Sequence, residues 1–347
     1  MALGLCLFSP VSELKPLHRK HRSEPGGLLF NYPHHPGKTV FKLDQNIVGR
    51  DFFQAFRWET EDDPTHGRVN YVDKNTSIAQ NLTHATNDKF TMRVDFQNIV
   101  SPTARGRNSN RISSFATYTD SVLVLDVQHV PDSICGVWPA FWTVTASGNW
   151  PNGGEIDIYE GVNVNTANLA SLHTSPNCVM PDNRKQSGTS TSTNCDASAN
   201  SNQGCGTQFT KSKTYGTVLN QVGGGWFVMK RTQEEGVQIW FWDRNDWDVP
   251  FEIASGLAVL TPEVFRSQPD ASFPSTCTCN FDEHFDAHTI VFDTTLCGDW
   301  AGNVYQVDGC GASYSACEDF VNNTPGAFKN AYWEINSLRV YTPGSSW

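Results

Sequence analysis

The chain has 347 residues, room for one large domain or two small ones. Apolar residues make up 38% and charged residues 18%, with 11 Trp and 21 Phe; that mix suits an all-β protein whose core uses few, large side chains. A formal net charge of −11 argues against nucleic acid or an anionic membrane as partner, and no apolar stretch approaches the ~20 residues of a membrane span.

Residues 1–37 read as an N-terminal tail. "MALGLCLFSP" has a short apolar run without a basic start or a clear cleavage site, so it reads as a weak signal peptide or a misplaced start. "KPLHRKHRSEPGG" then follows, basic and aperiodic. Residues 38–347 read as one domain of short strands and turns. "SVLVLDVQHV" alternates, with Val122, Val124, Asp126 and Gln128 opposite Leu123, Leu125, Val127 and His129. "GVWPAFWTVTASGNW" offers Trp138, Trp142 and Trp150; the last sits in a Pro- and Gly-rich turn, a place for an exposed ring.

"GNWPNGGEIDIYEGVN" follows. Strict alternation places Ile156 and Ile158 on one face and Glu155, Asp157 and Tyr159 on the other, with Glu160 pointing away from Glu155. One extra residue, a β-bulge, returns Glu160 to the face of Glu155 and Asp157. Lys and Arg are absent from Asn149 through Thr174. Acids crowded without cations raise one another's pKa, as chemistry with two differently protonated carboxyl groups requires. Two carboxylates roughly 5–5.5 Å apart are the requirement of a retaining glycosidase. Indoles beside them suit the apolar faces of sugar rings.

"QSGTSTSTNCDASANSNQGCGTQ" has no apolar cluster and reads as a long loop, stapled through Cys178, Cys195 and Cys205. "GWFVMKRT", "GVQIWFWDR", "HTIVFDTT" and "YWEINSLRVYT" are further strands. Strands without intervening helices stack as an antiparallel sandwich. Eight of the ten cysteines lie between Cys178 and Cys317 without metal-binding spacing, so disulfides are expected. If Cys6 leaves with a signal peptide, Cys135, in an apolar setting, is the candidate free thiol. Asn75, Asn81 and Asn322 open N-x-[ST] sequons, which agree with a secreted glycoprotein.

"NGGEIDIYEGVN" resembles the E-[IL]-D-x-x-E signature of glycoside hydrolase family 16 in its β-bulge form. "DDPTHGRVNYVD", "GRNSNRISSFATY", "CGVWPAFWTV", "LHTSP", "DEHFDAHTIVFDTTLCGDWAGN" and "AYWEINSLRVY" resemble its secreted fungal endo-1,3(4)-β-glucanases, the laminarinase-like members, from roughly Asp44 to Thr342. The resemblance implies a concanavalin-like β-jelly roll with a concave substrate cleft. It implies endo-hydrolysis of β-1,3 or mixed β-1,3/1,4-glucans with retention; a monomer is expected. It assigns Glu155 as nucleophile, Glu160 as acid/base, Asp157 as the group that tunes the nucleophile, and His173 as the histidine of the neighbouring strand. It makes Trp142, Trp150 and Trp300 sugar platforms, with Trp138 divided between platform and core, and Asn70 and Arg111 hydroxyl-binding groups. Tyr159 stands where an aliphatic residue is commoner; its ring is expected to brace the bulge. No cofactor is required, and a structural calcium on the convex side is compatible with the resemblance. The competing readings are a non-catalytic glucan-binding lectin, a wall-remodelling transglycosylase and a disulfide-rich wall protein; a lectin has no need of both Glu155 and Glu160, product analysis separates the transglycosylase, and a wall protein has no need of the acid cluster.

Overall fold

The computed structural model describes residues 39–344; the tail and leader readings for residues 1–37, Cys6 among them, fall outside that range. Strands β1 (Phe41–Ile47), β2 (Phe56–Trp58), β3 (Val69–Tyr71), β4 (Thr83–Ala85), β5 (Phe90–Arg93) and β6 (Arg107–Ser109) come first. β7 (Arg111–Tyr118), β8 (Ser121–His129), β9 (Val137–Thr145), β10 (Glu155–Glu160) and β11 (Leu169–His173) form the middle of the chain. β12 (Thr189–Ser190), β13 (Cys205–Gln208), β14 (Gly225–Thr232) and β15 (Gly236–Asp243) precede β16 (Val259–Leu260), β17 (Ala271–Pro274), β18 (His288–Leu296) and β19 (Tyr332–Pro343).

Two large sheets result. One has nine strands in the order β16-β1-β19-β8-β14-β15-β17, with β5 beside β19 and β4 beside β5. The other has eight, ordered β12-β13-β11-β10-β9-β18-β7-β2. Every pairing within them is antiparallel. The helices between described strands are short, the longest α-helix being the seven residues Cys317–Asn323. None is long and apolar enough to cross a membrane.

The alternation of β8 comes out as expected. Leu123, Leu125 and Val127 enter the core between the sheets, against Ile156, Ile158, Phe141 and Phe292 of the eight-stranded sheet. Its other face is not solvated: Val122 and Val124 join Trp240, Trp242, Ile253, Leu260 and Val264 in a second cluster under the segment 251–265. That is why Val122 and Val124 are apolar, while Asp126 and Gln128 farther along the same face stay half-buried.

Three sequence expectations change. Tyr159 is fully buried in the inter-sheet core, not beside the acids; it stacks on Tyr215 at 5.1 Å and meets Phe227 and Trp333 edge-on. The Ser- and Asn-rich segment is not only a loop: β12 and β13 extend the eight-stranded sheet beyond β11. Cys135 is not a free thiol, since it pairs with Cys310. Cys178–Cys279, Cys195–Cys205 and Cys297–Cys317 are also bonded, Cys277 lies in a disulfide, and no described cysteine is free.

Candidate active site

The acids stand on β10, in the interior of the eight-stranded sheet. Gly153 and Gly154 lead into it with φ near +80°, a conformation that favours glycine, and a Cβ on Gly154 would overlap the Phe285 ring. The strand then pairs regularly, Glu155 with His173 and Asp157 with Ser171 of β11. Register shifts after Asp157, so that the next pair is Glu160 with Leu169. On the other side Asp157 faces Trp142 and Tyr159 faces Phe141 of β9. Ile158 and Tyr159 both turn inward, and Glu160 returns to the side of Asp157. The bulge is thus present, and burial of Tyr159 selects it. Gly161 follows for a different reason than flexibility: a Cβ there would meet the Tyr215 ring at 2.6 Å.

Each outer carboxylate holds an indole. Trp150 Nε1 donates to Glu155 Oε2 and Trp138 Nε1 donates to Glu160 Oε1, both at 2.8 Å. Asp157 is buried between them and meets His173 Nε2 at 3.4 Å. His173 Nδ1 lies 2.9 Å from Asn202 Oδ1. Burial opposes a charge on His173, but the contact with Asp157 and the fields of Glu155 and Glu160 outweigh it and raise its pKa to about 10.

Glu155 and Glu160 are half-buried, unlike Asp157. Burial first, then the charge of Asp157, raises Glu155 to about 7; His173, the Trp150 hydrogen bond and Arg111 act against this. Burial and Asp157 lift Glu160 well above the ordinary carboxylate range, and Glu155 adds to the lift. Arg111 is among the groups pulling Glu155 down, while Glu155 pushes Glu160 up. The retained proton therefore belongs on Glu160 and the charge on Glu155.

Glu155, Asp157 and His173 offer ligand atoms within 4.8 Å of one another, the one such group among the described residues. Within it, His173 Nε2 and Asp157 Oδ2 already form an ion pair.

Of the residues expected to bind sugar, Trp138 and Trp142 on β9 and Arg111 on β7 share that sheet, while Trp150, Trp300 and Asn70 lie outside it. Trp142 of β9 lies under the Arg111 guanidinium at 5.0 Å. Arg111 Nε donates to Glu59 at 2.8 Å, and Nη1 lies 3.9 Å from Asp293. Arg111 thus has one half-buried and one buried acid partner. Burial raises the Asp293 carboxyl to about 7 in spite of Arg111. Trp300 stands edge-on to Trp138 at 5.6 Å, on the segment tied down by Cys297–Cys317 and Cys135–Cys310. Asn70 belongs to a separate parallel pair, β3 with β6, and its amide is engaged by Asn108 and Arg105 rather than by the acids. Sequence reading missed Glu59 and Asp293, which hold Arg111, and Asn202, which holds His173. Asn202 lies in the segment that looked structureless, and nothing local marks it.

The family profile of XgeA-like catalytic domains of glycoside hydrolase family 16 matches residues 56–341. A probable glycosidase of Schizosaccharomyces pombe is 42% identical over 315 residues, covering 89% of this chain and 71% of the relative. Curated proteins of Aspergillus and related fungi, named as probable endo-1,3(4)-β-glucanases and, in Emericella nidulans, as an endo-1,3(4)-β-glucanase, are 36–39% identical, and the chain spans 40–48% of their length, about half. Laminarinase 16A of Phanerochaete chrysosporium, solved with 6-O-glucosyl-laminaritriose in donor and acceptor sites, superposes with a TM-score of 0.83 at 46% identity, covering 87% of this chain and all of that one. An elongating family 16 β-1,3-glucosyltransferase superposes at 0.79 with 39% identity, again over 87% of this chain and all of the other. The chain belongs to glycoside hydrolase family 16, and its sandwich is that family's jelly roll.

Proposed function

We propose that this family 16 domain is a secreted, endo-acting β-glucanase that cleaves β-1,3 or mixed β-1,3/1,4-glucans with retention. One observation carries the reading: a bulged strand presents two carboxyl groups, each held by its own indole and separated by a buried third acid. A lectin has no use for that difference in protonation.

Glu155 attacks the anomeric carbon while Glu160 donates its proton to the leaving oxygen. Forming the glycosyl ester neutralises Glu155, which removes one of the charges lifting Glu160. Glu160 then takes a proton from water, and the ester is hydrolysed. Asp157 and His173 keep the charge around the nucleophile fixed. Trp142, Trp150, Trp138 and Trp300 serve as platforms for sugar rings, and Arg111 and Asn70 bind hydroxyls. The reading takes the domain to act as a monomer. The disulfides fit an oxidising, extracellular setting. N-glycans fit Asn75 and Asn81, whose side chains are exposed. Asn322 is 5% exposed and accepts from Arg68 Nε at 2.9 Å, so it is closed to one.

The test is incubation with laminarin, barley mixed-linkage glucan and cellulose, followed by separation of products by length. A ladder of short oligosaccharides from the first two supports the reading; release of glucose alone, or no cleavage, overturns it. A second reading, transfer to a sugar hydroxyl in place of water, is favoured by the likeness to the glucosyltransferase. Products longer than the starting oligosaccharide would identify it.

A further inference from the structure

A bulge that aims a catalytic group has a cost: it takes backbone groups out of the ladder. Between the pairs Asp157–Ser171 and Glu160–Leu169, two residues of β10 face one residue of β11. The Ile158 carbonyl and the Glu160 N–H would be left without partners in the sheet interior, where unpaired polar groups are rare. Both are taken by one side chain. Asn168, fully buried just before β11, accepts from Glu160 N–H through Oδ1 at 3.0 Å. Its Nδ2 donates to the Ile158 carbonyl at 2.9 Å. The donor and acceptor fix the amide's orientation, since an N–H cannot donate to an NH2 group.

The clamp is itself clamped. Asn168 N–H donates to Thr214 Oγ1 at 2.9 Å, and its carbonyl accepts from Phe209 N–H and from Gln208 Nε2, each at 2.9 Å. One amide thus spans the bulge from its first inward residue to the backbone of Glu160 and ties both to β11 and to the segment beyond β13. From this we infer that Asn168 is a positioning residue for the acid/base, one that fixes where the Glu160 carboxyl meets the glycosidic oxygen. The inference rests on the reading of Glu160 as acid/base. Asn168 touches no substrate; it acts through the Glu160 backbone.

The test uses the leaving group as a gauge of proton donation. Asn168→Ala is assayed on laminari-oligosaccharides, whose departing alkoxide needs the acid, and on 2,4-dinitrophenyl β-laminaribioside, whose phenolate does not. A misplaced acid should lower kcat/KM on the oligosaccharides roughly 10–100-fold, since displacement by about an ångström costs that much. On the dinitrophenyl substrate kcat/KM should change less than about 3-fold, because only the unassisted step is read. KM for the oligosaccharides should stay near that of the unaltered protein. A structural role alone would lower both substrates in parallel, and that outcome overturns the inference.

Glu160→Gln is the control for the underlying reading. If it shows no dependence on leaving group, Glu160 is not the acid/base and that reading fails. If it shows the dependence and Asn168→Ala loses both substrates equally, only the present inference fails. Should Asn168→Ala not fold, Asn168→Asp replaces it. The carboxyl group it introduces would, when protonated, supply both a donor and an acceptor in the same shape; when ionised, it would set a negative charge against the Ile158 carbonyl. The gap between the two substrates should therefore close at low pH and open as pH rises, relative to the unaltered protein. A gap that does not change with pH overturns the inference.

Discussion

β14 and β10 lie in opposite sheets of one sandwich and solve different problems. β14 pairs with β15 from Gly225 to Thr232 and with β8 from Gly225 to Arg231 without a register shift. Nearly all its residues are buried; Trp226, Phe227, Val228 and Met229 fill the two apolar clusters, while Lys230 and Arg231 at its end are held by polar partners. β10 shifts register against both neighbours, carries three acids and needs a side-chain amide to complete its hydrogen bonding. The regular strand stabilises; the irregular one positions charge. The two meet where Phe227 of β14 contacts the Tyr159 ring at 5.2 Å, so the packed core also selects the conformation of the bulge.

Substitutions in the two strands should have separable effects. The largest is on chemistry alone: Glu155→Gln should lower hydrolysis by at least about 10⁴-fold, with thermal stability and glucan binding retained. Turnover within tenfold of the unaltered protein would remove Glu155 from the nucleophile's role. Next comes an effect on stability alone. Met229→Ala, in the core face of β14, should cost about 2–5 kcal/mol in denaturant unfolding and leave the pH profile of the folded enzyme in place.

Asp157→Asn probes the charge that β10 carries and β14 lacks at its centre. Asp157 is among the groups that raise Glu160, so losing its charge should lower the Glu160 pKa. The high-pH limb of kcat/KM, which reports the acid of the free enzyme, should then move to lower pH, with rate falling by up to roughly 10²-fold. The limb belongs to the coupled cluster. A limb that stays fixed or moves up in a folded variant would limit Asp157 to a structural part.

The smallest effect is a gain. Because the folded protein holds a proton on Glu160 well above the unfolded carboxyl's pKa of about 4.3, it binds more protons than the unfolded chain in that window. Stability from this group is full below about pH 4 and is lost as pH rises. Glu160→Gln removes the titration. It should raise Tm at pH 7, by about 2–4 °C for each kcal/mol recovered, and give no such gain near pH 4. Equal Tm differences at both pH values would contradict the raised pKa.

Local sequence was enough to read the β class, the main strands and the acids. Period-2 alternation and aromatic, β-branched runs are local signals, and β14, β15, β18 and β19 fall where those runs predict. The pattern Glu155, Asp157, Glu160 also required a bulge if all three acids were to share a face. How that bulge is made depends on packing between the sheets. Strict alternation put Tyr159 with the acids, but Tyr215, Phe227 and Trp333, all distant in sequence, bury its ring on the other side. The same holds for Cys135, whose partner lies 175 residues away. It holds for β12 and β13, polar segments that become strands because β11 offers an edge and Cys195–Cys205 closes the turn between them. Asn168, Asn202, Glu59 and Asp293 carry no local mark of their work, because a hydrogen bond or an ion pair depends on where a partner sits in space. Local chemistry sets which residues can act; the packing of distant segments sets which atoms they meet.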